Sequence, residues 1–250
     1  AKFEPTSFGL SLASLIALGS KPVAELTREE LLQLLQKSQD WTEAEQMLHA
    51  GEMPGLLPCS WHSFSVPKEI FRMIDMLSNH IGENFLSDAI VDTQLQRIRE
   101  NLDTAPSIDT AFEEGITAAS MIEALLTFLR SLPQAVIPEA YQYDCLRASA
   151  NLNAALLSLT RIPKIHQNLF YYLVAFLKTC IPLGSRDDLV TALANRFGEA
   201  IFNSCNPDVS RARTAYSGFF SQTTRADFIR LFITNDNLRQ NQLSFSHQPH

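Results

Sequence analysis

The chain has 250 residues, of which 46% are apolar and 19% are charged, and its formal net charge is −7. This composition is typical of a globular protein with a substantial core and excludes a disordered chain. The negative charge, without any block of Lys or Arg, argues against nucleic acid and anionic membrane surfaces as direct partners.

The first part of the chain predicts short helices separated by turn signals. A helix is expected over residues 10–18, closed by Gly19 as a left-handed C-cap. Thr27-Arg-Glu-Glu30 matches a capping box in front of the leucine-rich residues 31–35. Residues 51–67 contain two Gly and three Pro and predict a surface loop or linker.

From Val66 onward, apolar residues recur at helical spacing in one segment after another. The predicted helices cover residues 70 to about 80, 95–102, 116–132, 138–159 with a break near Ala148, 164–180, and 189–201 after a capping-box match at residues 185–188. Two more are predicted over residues 207–219 and through residues 228–232, the last with Thr224 as its cap. No convincing alternation of apolar and polar residues indicates a strand, and no fixed-period repeat indicates a solenoid. The sequence therefore predicts an all-α fold.

The sequence has no pattern typical of a catalytic centre, a cofactor site or a metal site. It has no Gly-rich phosphate loop, and its six His do not form a helical His-x-x-x-His pair. Its four Cys lie far apart and are expected to be reduced thiols. His166 begins an apolar helix and is expected to be a hydrogen-bonded structural histidine.

Two features favour a cytoplasmic protein that is not inserted into a membrane. The most apolar run, residues 169–177, is shorter than the roughly 18–20 residues that span a bilayer. The opening Ala1-Lys-Phe-Glu-Pro5 lacks the basic and apolar regions of a signal peptide.

Two segments carry a resemblance to a known family. Residues 124–138 read Ala-Leu-Leu-Thr-Phe-Leu-Arg-Ser-Leu-Pro-Gln-Ala-Val-Ile-Pro, and residues 162–177 read Ile-Pro-Lys-Ile-His-Gln-Asn-Leu-Phe-Tyr-Tyr-Leu-Val-Ala-Phe-Leu. Together they resemble the RhoGAP-like domain, and more closely the C-terminal region of the inositol polyphosphate 5-phosphatases of the oculocerebrorenal (Lowe) syndrome type. Further similar stretches, in the same order, are Ser7-Phe-Gly-Leu-Ser-Leu12 with Lys21-Pro22, Val66-Pro-Lys-Glu-Ile70, and Leu95-Gln-Arg-Ile98 with Leu102-Asp-Thr104.

The resemblance implies four parts of the chain. Residues 1–22 would be the end of an upstream β-sandwich (ASH) domain and the start of a linker, and residues 23–66 a helical linker. Residues 67–240 would be a RhoGAP-like helical bundle, and residues 241–250 a disordered tail. The 5-phosphatase chemistry would lie in an upstream domain, so this chain itself is not expected to be an enzyme or to hold a cofactor.

The resemblance also implies a GAP fold without GAP activity. Active RhoGAPs insert an arginine finger that stabilises the transferring phosphoryl group. The finger loop aligns with Glu83-Asn-Phe-Leu-Ser-Asp88, so Leu86 or Ser87 holds the finger position. The supporting lysine of the family aligns with Thr127, and the supporting asparagine aligns with Ala200. None of these side chains offers the charged, forked donor of an arginine.

Other arginines leave an active GTPase-activating protein as the alternative function. Arg72, Arg97 or Arg99 would replace the finger only by an unusual docking geometry, whereas Arg130 matches a family arginine that is mainly structural. Two further alternatives are an unrelated helical adaptor and a GAP-like module from another multidomain protein, such as the lipid-kinase regulatory subunit. The Ser7–Leu12 stretch favours the phosphatase family.

In the family the degenerate domain is a binding module that directs the enzyme to endosomes, the Golgi or the plasma membrane. It binds endocytic adaptor peptides with a Phe and His motif and contacts Rac- and Cdc42-like GTPases weakly. The aromatic residue of the peptide pocket aligns with Phe71, where the family usually has Trp; Phe71 is equally well explained as a core residue. Residues 31–35 resemble a clathrin box that lacks its final acid, which favours a packing role instead.

Overall fold

The computed structural model describes residues 7–23, 64–80, 86, 88–105, 110–181, 187–203 and 221–234. Within these residues, helices follow one another with a single pair of short strands near the start. The elements in chain order are α1 (Leu12–Leu18), β1 (Ser20–Val23), β2 (Phe64–Pro67), α2 (Lys68–Asn79), α3 (Asp92–Thr104), α4 (Ala118–Ser131), α5 (Glu139–Arg147), α6 (Leu152–Leu159), α7 (Lys164–Cys180), α8 (Asp187–Phe202) and α9 (Gln222–Ile233).

The predicted all-α fold is confirmed, and proline accounts for several helix boundaries. Helix α4 ends at Ser131, two residues before Pro133, which disfavours helical geometry in the residue preceding it. Pro138 and Pro163 are the N-cap residues of α5 and α7. The predicted break near Ala148 is the C-cap of α5, and α7 has the predicted bounds.

Three details differ from the sequence prediction. Strands β1 and β2 were not predicted; they pair antiparallel, with Ser20 opposite Pro67, and are too short to show an alternating pattern. Gly19 does not adopt the left-handed conformation of a C-cap glycine, because its φ of 174° is extended backbone. Helix α9 is capped by Ser221, whose hydroxyl accepts from the Thr224 N–H, and not by Thr224.

Helix α7 lies at the centre of the core and is buried over nearly its whole length. Its Phe170 packs against Phe232 of α9 at 5.1 Å between ring centroids and against Phe228 at 5.9 Å. Phe202 at the end of α8 contacts Phe228 at 5.5 Å. These aromatic contacts join three helices. They are favourable because edge and tilted arrangements are the ones that aromatic pairs prefer.

The segment before β1 packs onto the helical core. Leu12 and Leu15 of α1 are buried within the same hydrophobic cluster as the later helices. Phe8 meets Phe128 of α4 edge to face at 5.0 Å, and the Gly9 N–H donates to the Ser131 hydroxyl at 3.1 Å. Residues 7–19 therefore share one core with the bundle.

Several predictions lie outside the described residues: the leucine-rich residues 31–35, most of the linker, the helix at residues 207–219 and the tail at residues 241–250. The four-part division of the chain stays a prediction.

Candidate docking groove and GAP-like face

A groove of about 470 Å³ opens between α2 and the segment that connects α3 with α4. One wall is the outer face of α2 with His80 beyond its end, and the other wall is residues 110–116. This groove, called the α2 groove below, is lined by Phe71, Arg72, Asp75, Met76, His80, Thr110, Ala111, Phe112, Glu113, Glu114, Gly115 and Ile116.

Phe71 combines the two interpretations that its sequence position left open. Its side chain is partly exposed, lines the α2 groove and also packs against the hydrophobic core. Sequence spacing placed Phe71 on α2 but could not show the groove, because the opposite wall begins 39 residues later. Apolar pockets with a few polar groups are the usual form of ligand sites.

Arg72 lies at the base of the α2 groove and is only 4% exposed. Its Nε and Nη2 donate to the Thr110 carbonyl at 3.3 and 2.7 Å, and Nη2 also donates to the Asn101 side-chain oxygen at 2.5 Å. Its guanidinium carbon is 4.6 Å from the centroid of the Phe112 ring. Burial lowers the pKa of Arg72, and the nearby Glu69 acts in the opposite direction. Sequence analysis did not identify this role of Arg72.

Acidic side chains surround the mouth of the α2 groove. Asp75, Glu113 and Glu114 line it, and Glu113 forms an exposed ion pair with Arg97 at 3.7 Å. The Nδ1 of His80 is 2.9 Å from the Met76 carbonyl. A ligand with a cationic group beside an apolar anchor fits this distribution of charge.

The described residues that the sequence resemblance assigned to the catalytic positions of the GAP family are apolar or uncharged. Leu86 is partly buried and packs against the core, and Ala200 of α8 is fully buried. Thr127 of α4 is exposed, lies between the buried Leu126 and Phe128, and accepts a long hydrogen bond of 3.4 Å from Arg130. Ser87 lies outside the described residues.

The arginines considered as substitutes for the finger have contacts within the chain. Arg72 is bound to α3 and residue 110, Arg97 pairs with Glu113, and Arg99 lies over the Phe8 ring at 4.9 Å.

A carboxylate links α4 to α8 on the face that carries Thr127. Glu123 accepts from Arg130 and from Arg196, each at 3.0 Å. Arg130 is thus part of a structural ion-pair network, the role that the resemblance implied. Sequence analysis did not foresee Arg196 or Glu123, because their contact spans 73 residues.

Comparison with known proteins agrees with this architecture. Residues 89–204 match the family model of the RhoGAP domain. Over these residues the chain is similar to a RhoGAP domain. It is also 32% identical over 142 residues, 56% of its length, to the type II inositol 1,4,5-trisphosphate 5-phosphatase of Mus musculus. The resemblance drawn from the sequence is therefore confirmed.

The matched region covers 14% of the length of the mouse protein. The name of that relative describes a phosphatase activity of the relative, and most of its length has no counterpart in this chain. In the described part of the chain, no helix has both the length and the apolar character that crossing a bilayer requires.

Proposed function

We propose that this RhoGAP-like chain is a non-catalytic interaction module of a phosphoinositide 5-phosphatase. Its α2 groove binds an endocytic adaptor peptide with a Phe and His motif. The face that carries Thr127 contacts Rho-family GTPases weakly without stimulating GTP hydrolysis. Through these contacts a cytoplasmic parent enzyme is recruited to endosomes, the Golgi or sites of trafficking at the plasma membrane.

The observation that carries the non-catalytic role is the composition of the aligned finger loop, residues 83–88. Residues 83–88 contain no arginine, and Arg72, Arg97 and Arg99 all have contacts within the chain. An arginine finger increases the rate of GTP hydrolysis by about 10³–10⁵-fold. Withdrawing one of these side chains would break its present contacts, which for Arg72 include hydrogen bonds to Thr110 and Asn101.

The shape and charge of the α2 groove support the peptide-binding role. Phe71 and Met76 provide an apolar surface for an aromatic side chain, and the surrounding carboxylates favour a protonated histidine beside it. An aromatic anchor in a pocket is the usual centre of a binding hot spot.

A single-turnover GTPase assay tests the non-catalytic role. Excess chain is mixed with GTP-loaded Rac- or Cdc42-like protein, and an active RhoGAP domain serves as the positive control. We expect the chain to accelerate GTP hydrolysis by less than about tenfold, because no arginine finger stabilises the transition state. A larger acceleration that is lost in Arg97→Ala or Arg99→Ala would establish the alternative function, an active GTPase-activating protein.

Calorimetry with a synthetic peptide that carries the Phe and His motif tests the groove. Phe71→Ala is expected to weaken binding by at least about tenfold with unchanged helical circular dichroism, because it removes the apolar anchor. Tyr141→Ala is the matched control, since Tyr141 is also a partly buried aromatic residue but does not line the groove. Equal affinities of Phe71→Ala and the unmodified chain would refute peptide binding at this site.

A further inference from the structure

Arg72 is an unusual residue because its buried charge has neutral hydrogen-bonding partners. Its acceptors are a backbone carbonyl at Thr110 and the amide oxygen of Asn101, and an aromatic ring lies against one face. The nearby buried Glu69 favours the charged form of Arg72, but removing charges from water still costs several kcal/mol. An apolar side chain would fill the same space at a lower cost, so the guanidinium is expected to have a specific role.

The contacts of Arg72 converge on the start of the second groove wall. Asn101, which accepts from Arg72, also donates to the Ala111 carbonyl at 3.4 Å. Residues 110–112 are therefore bound to both α2 and α3 through one guanidinium and one amide. A guanidinium suits this task because its donors have a fixed, forked geometry.

The other end of the same wall has a clamp of its own. The side chain of Gln94 donates to the Gly115 carbonyl at 2.9 Å and accepts from the Thr117 N–H at 3.0 Å. Gly115 itself has a positive φ of 87°, which glycine adopts without strain. The wall is thus held at one end by the hydrogen bonds of Arg72 and at the other end by those of Gln94.

We propose that Arg72 is a positioning residue for the α2 groove, whose guanidinium holds residues 110–112 across from Phe71 and so sets the width of the groove. Phe71 supplies the anchoring surface, and its neighbour Arg72 places the opposite wall. The inference that this width controls peptide affinity rests on the proposed function of the groove.

NMR order parameters of the backbone amides at residues 111–116 test the positioning role directly. Arg72→Gln should lower them from the rigid range, about 0.85, toward the flexible range, below about 0.6, and should leave the order parameters of α7 unchanged. Arg72→Lys should behave in the same way, because an ammonium group cannot reproduce the fork. Unchanged order parameters in both variants would overturn the proposal.

Arg230→Gln is the matched control. Arg230 also joins two helices, through Asp187 at 3.2 Å and Thr191, and it does not line the groove. Its loss should leave the order parameters at residues 111–116 unchanged. If Arg72→Gln fails to fold, Asn101→Ala removes an acceptor of the same clamp and should lower the same order parameters; values equal to those of the unmodified chain would again overturn the proposal.

Calorimetry with the Phe and His peptide distinguishes the two proposals. If the unmodified chain binds, Arg72→Gln should weaken binding by about tenfold while Arg230→Gln does not. Retained affinity in Arg72→Gln would refute control of affinity by Arg72. If the unmodified chain does not bind the peptide, the proposed function fails, and the order parameters alone still decide whether Arg72 positions the wall.

Discussion

Gly198 lies where α8 packs closely against α9. A Cβ atom at this position would lie 3.2 Å from the carbonyl carbon and oxygen of Arg225 and 3.3 Å from the Ala226 nitrogen. These are backbone atoms of a packed helix, so they cannot rotate away as the end of a side chain could. Glycine at this position therefore allows close helix packing.

Gly198→Ala is expected to lower the free energy of unfolding by up to about 2 kcal/mol. Alanine gains about 1 kcal/mol in helix propensity, but crowding in a packed interior typically costs about 1–3 kcal/mol. Urea denaturation followed by circular dichroism measures the difference. A variant more stable than the parent chain would show that α9 shifts freely.

Gly19→Ala provides the control for this prediction. The added Cβ would meet the Lys68 side chain at 2.9 Å, and the backbone of Gly19 is extended, a conformation that alanine adopts freely. Because the end of a lysine side chain moves easily, we expect a change within about 0.5 kcal/mol. If both variants had a much lower free energy of unfolding, contact with the backbone of α9 would not explain the effect.

At the scale of elements, the helices were predictable because each depends on local signals. Helical spacing, a serine or threonine cap and a bounding proline all lie within one segment, and α7 was predicted to the residue. The strands β1 and β2 were not, because they pair residues that lie more than 40 positions apart and each strand is only four residues long.

The candidate site was predicted only in part for the same physical reason. Phe71 could be placed on its helix, but its groove depends on residues 110–116. The clamp made by Arg72 joins residues 29 and 38 positions away, which no spacing rule indicates. The network around Glu123 likewise forms only when α4 and α8 come together. Sequence patterns therefore predict elements better than the polar contacts between elements.

His166 ties α7 to the corner that follows α4. The histidine is 4% exposed, and its Nδ1 lies 2.9 Å from the Val136 carbonyl, which confirms the predicted structural role. Burial lowers the pKa of His166, and backbone hydrogen bonds to Val136 and Ala135 and the charge of Glu139 only partly oppose that effect. The folded chain therefore favours the neutral imidazole.

Stability is expected to fall as the pH drops below the ordinary histidine pKa of 6.5. The unfolded chain takes up the proton first, so the stabilisation is complete above that pH and is lost as the pH falls through the lowered pKa of the folded chain. One such proton contributes a slope of at most about 1.4 kcal/mol per pH unit. Urea denaturation between about pH 7 and pH 5 should show a flatter profile for His166→Asn; equal slopes would contradict the assignment.

At the scale of the whole molecule, the segment before β1 belongs to the same core as the RhoGAP-like bundle. Leu15 of α1 is fully buried in the shared hydrophobic cluster, whereas Leu18 of the same helix is 68% exposed. Around α1, Phe8 packs on Phe128, and Ser7 donates from its hydroxyl and its N–H to the Asp103 carboxylate. These contacts connect the segment to both α3 and α4.

Leu15→Ala should therefore destabilise the entire bundle and not only α1. A cavity at a fully buried leucine costs about 2–5 kcal/mol, and a shared core passes that loss to the global unfolding transition. Leu18→Ala, at an exposed position of the same helix, should change stability by about 0.5 kcal/mol or less. Denaturation curves from circular dichroism and from amide exchange in α7 should shift together for Leu15→Ala. If α7 kept its full protection while α1 was lost, the segment would be a separate unit, because a perturbation confined to one unit leaves the core of another unchanged.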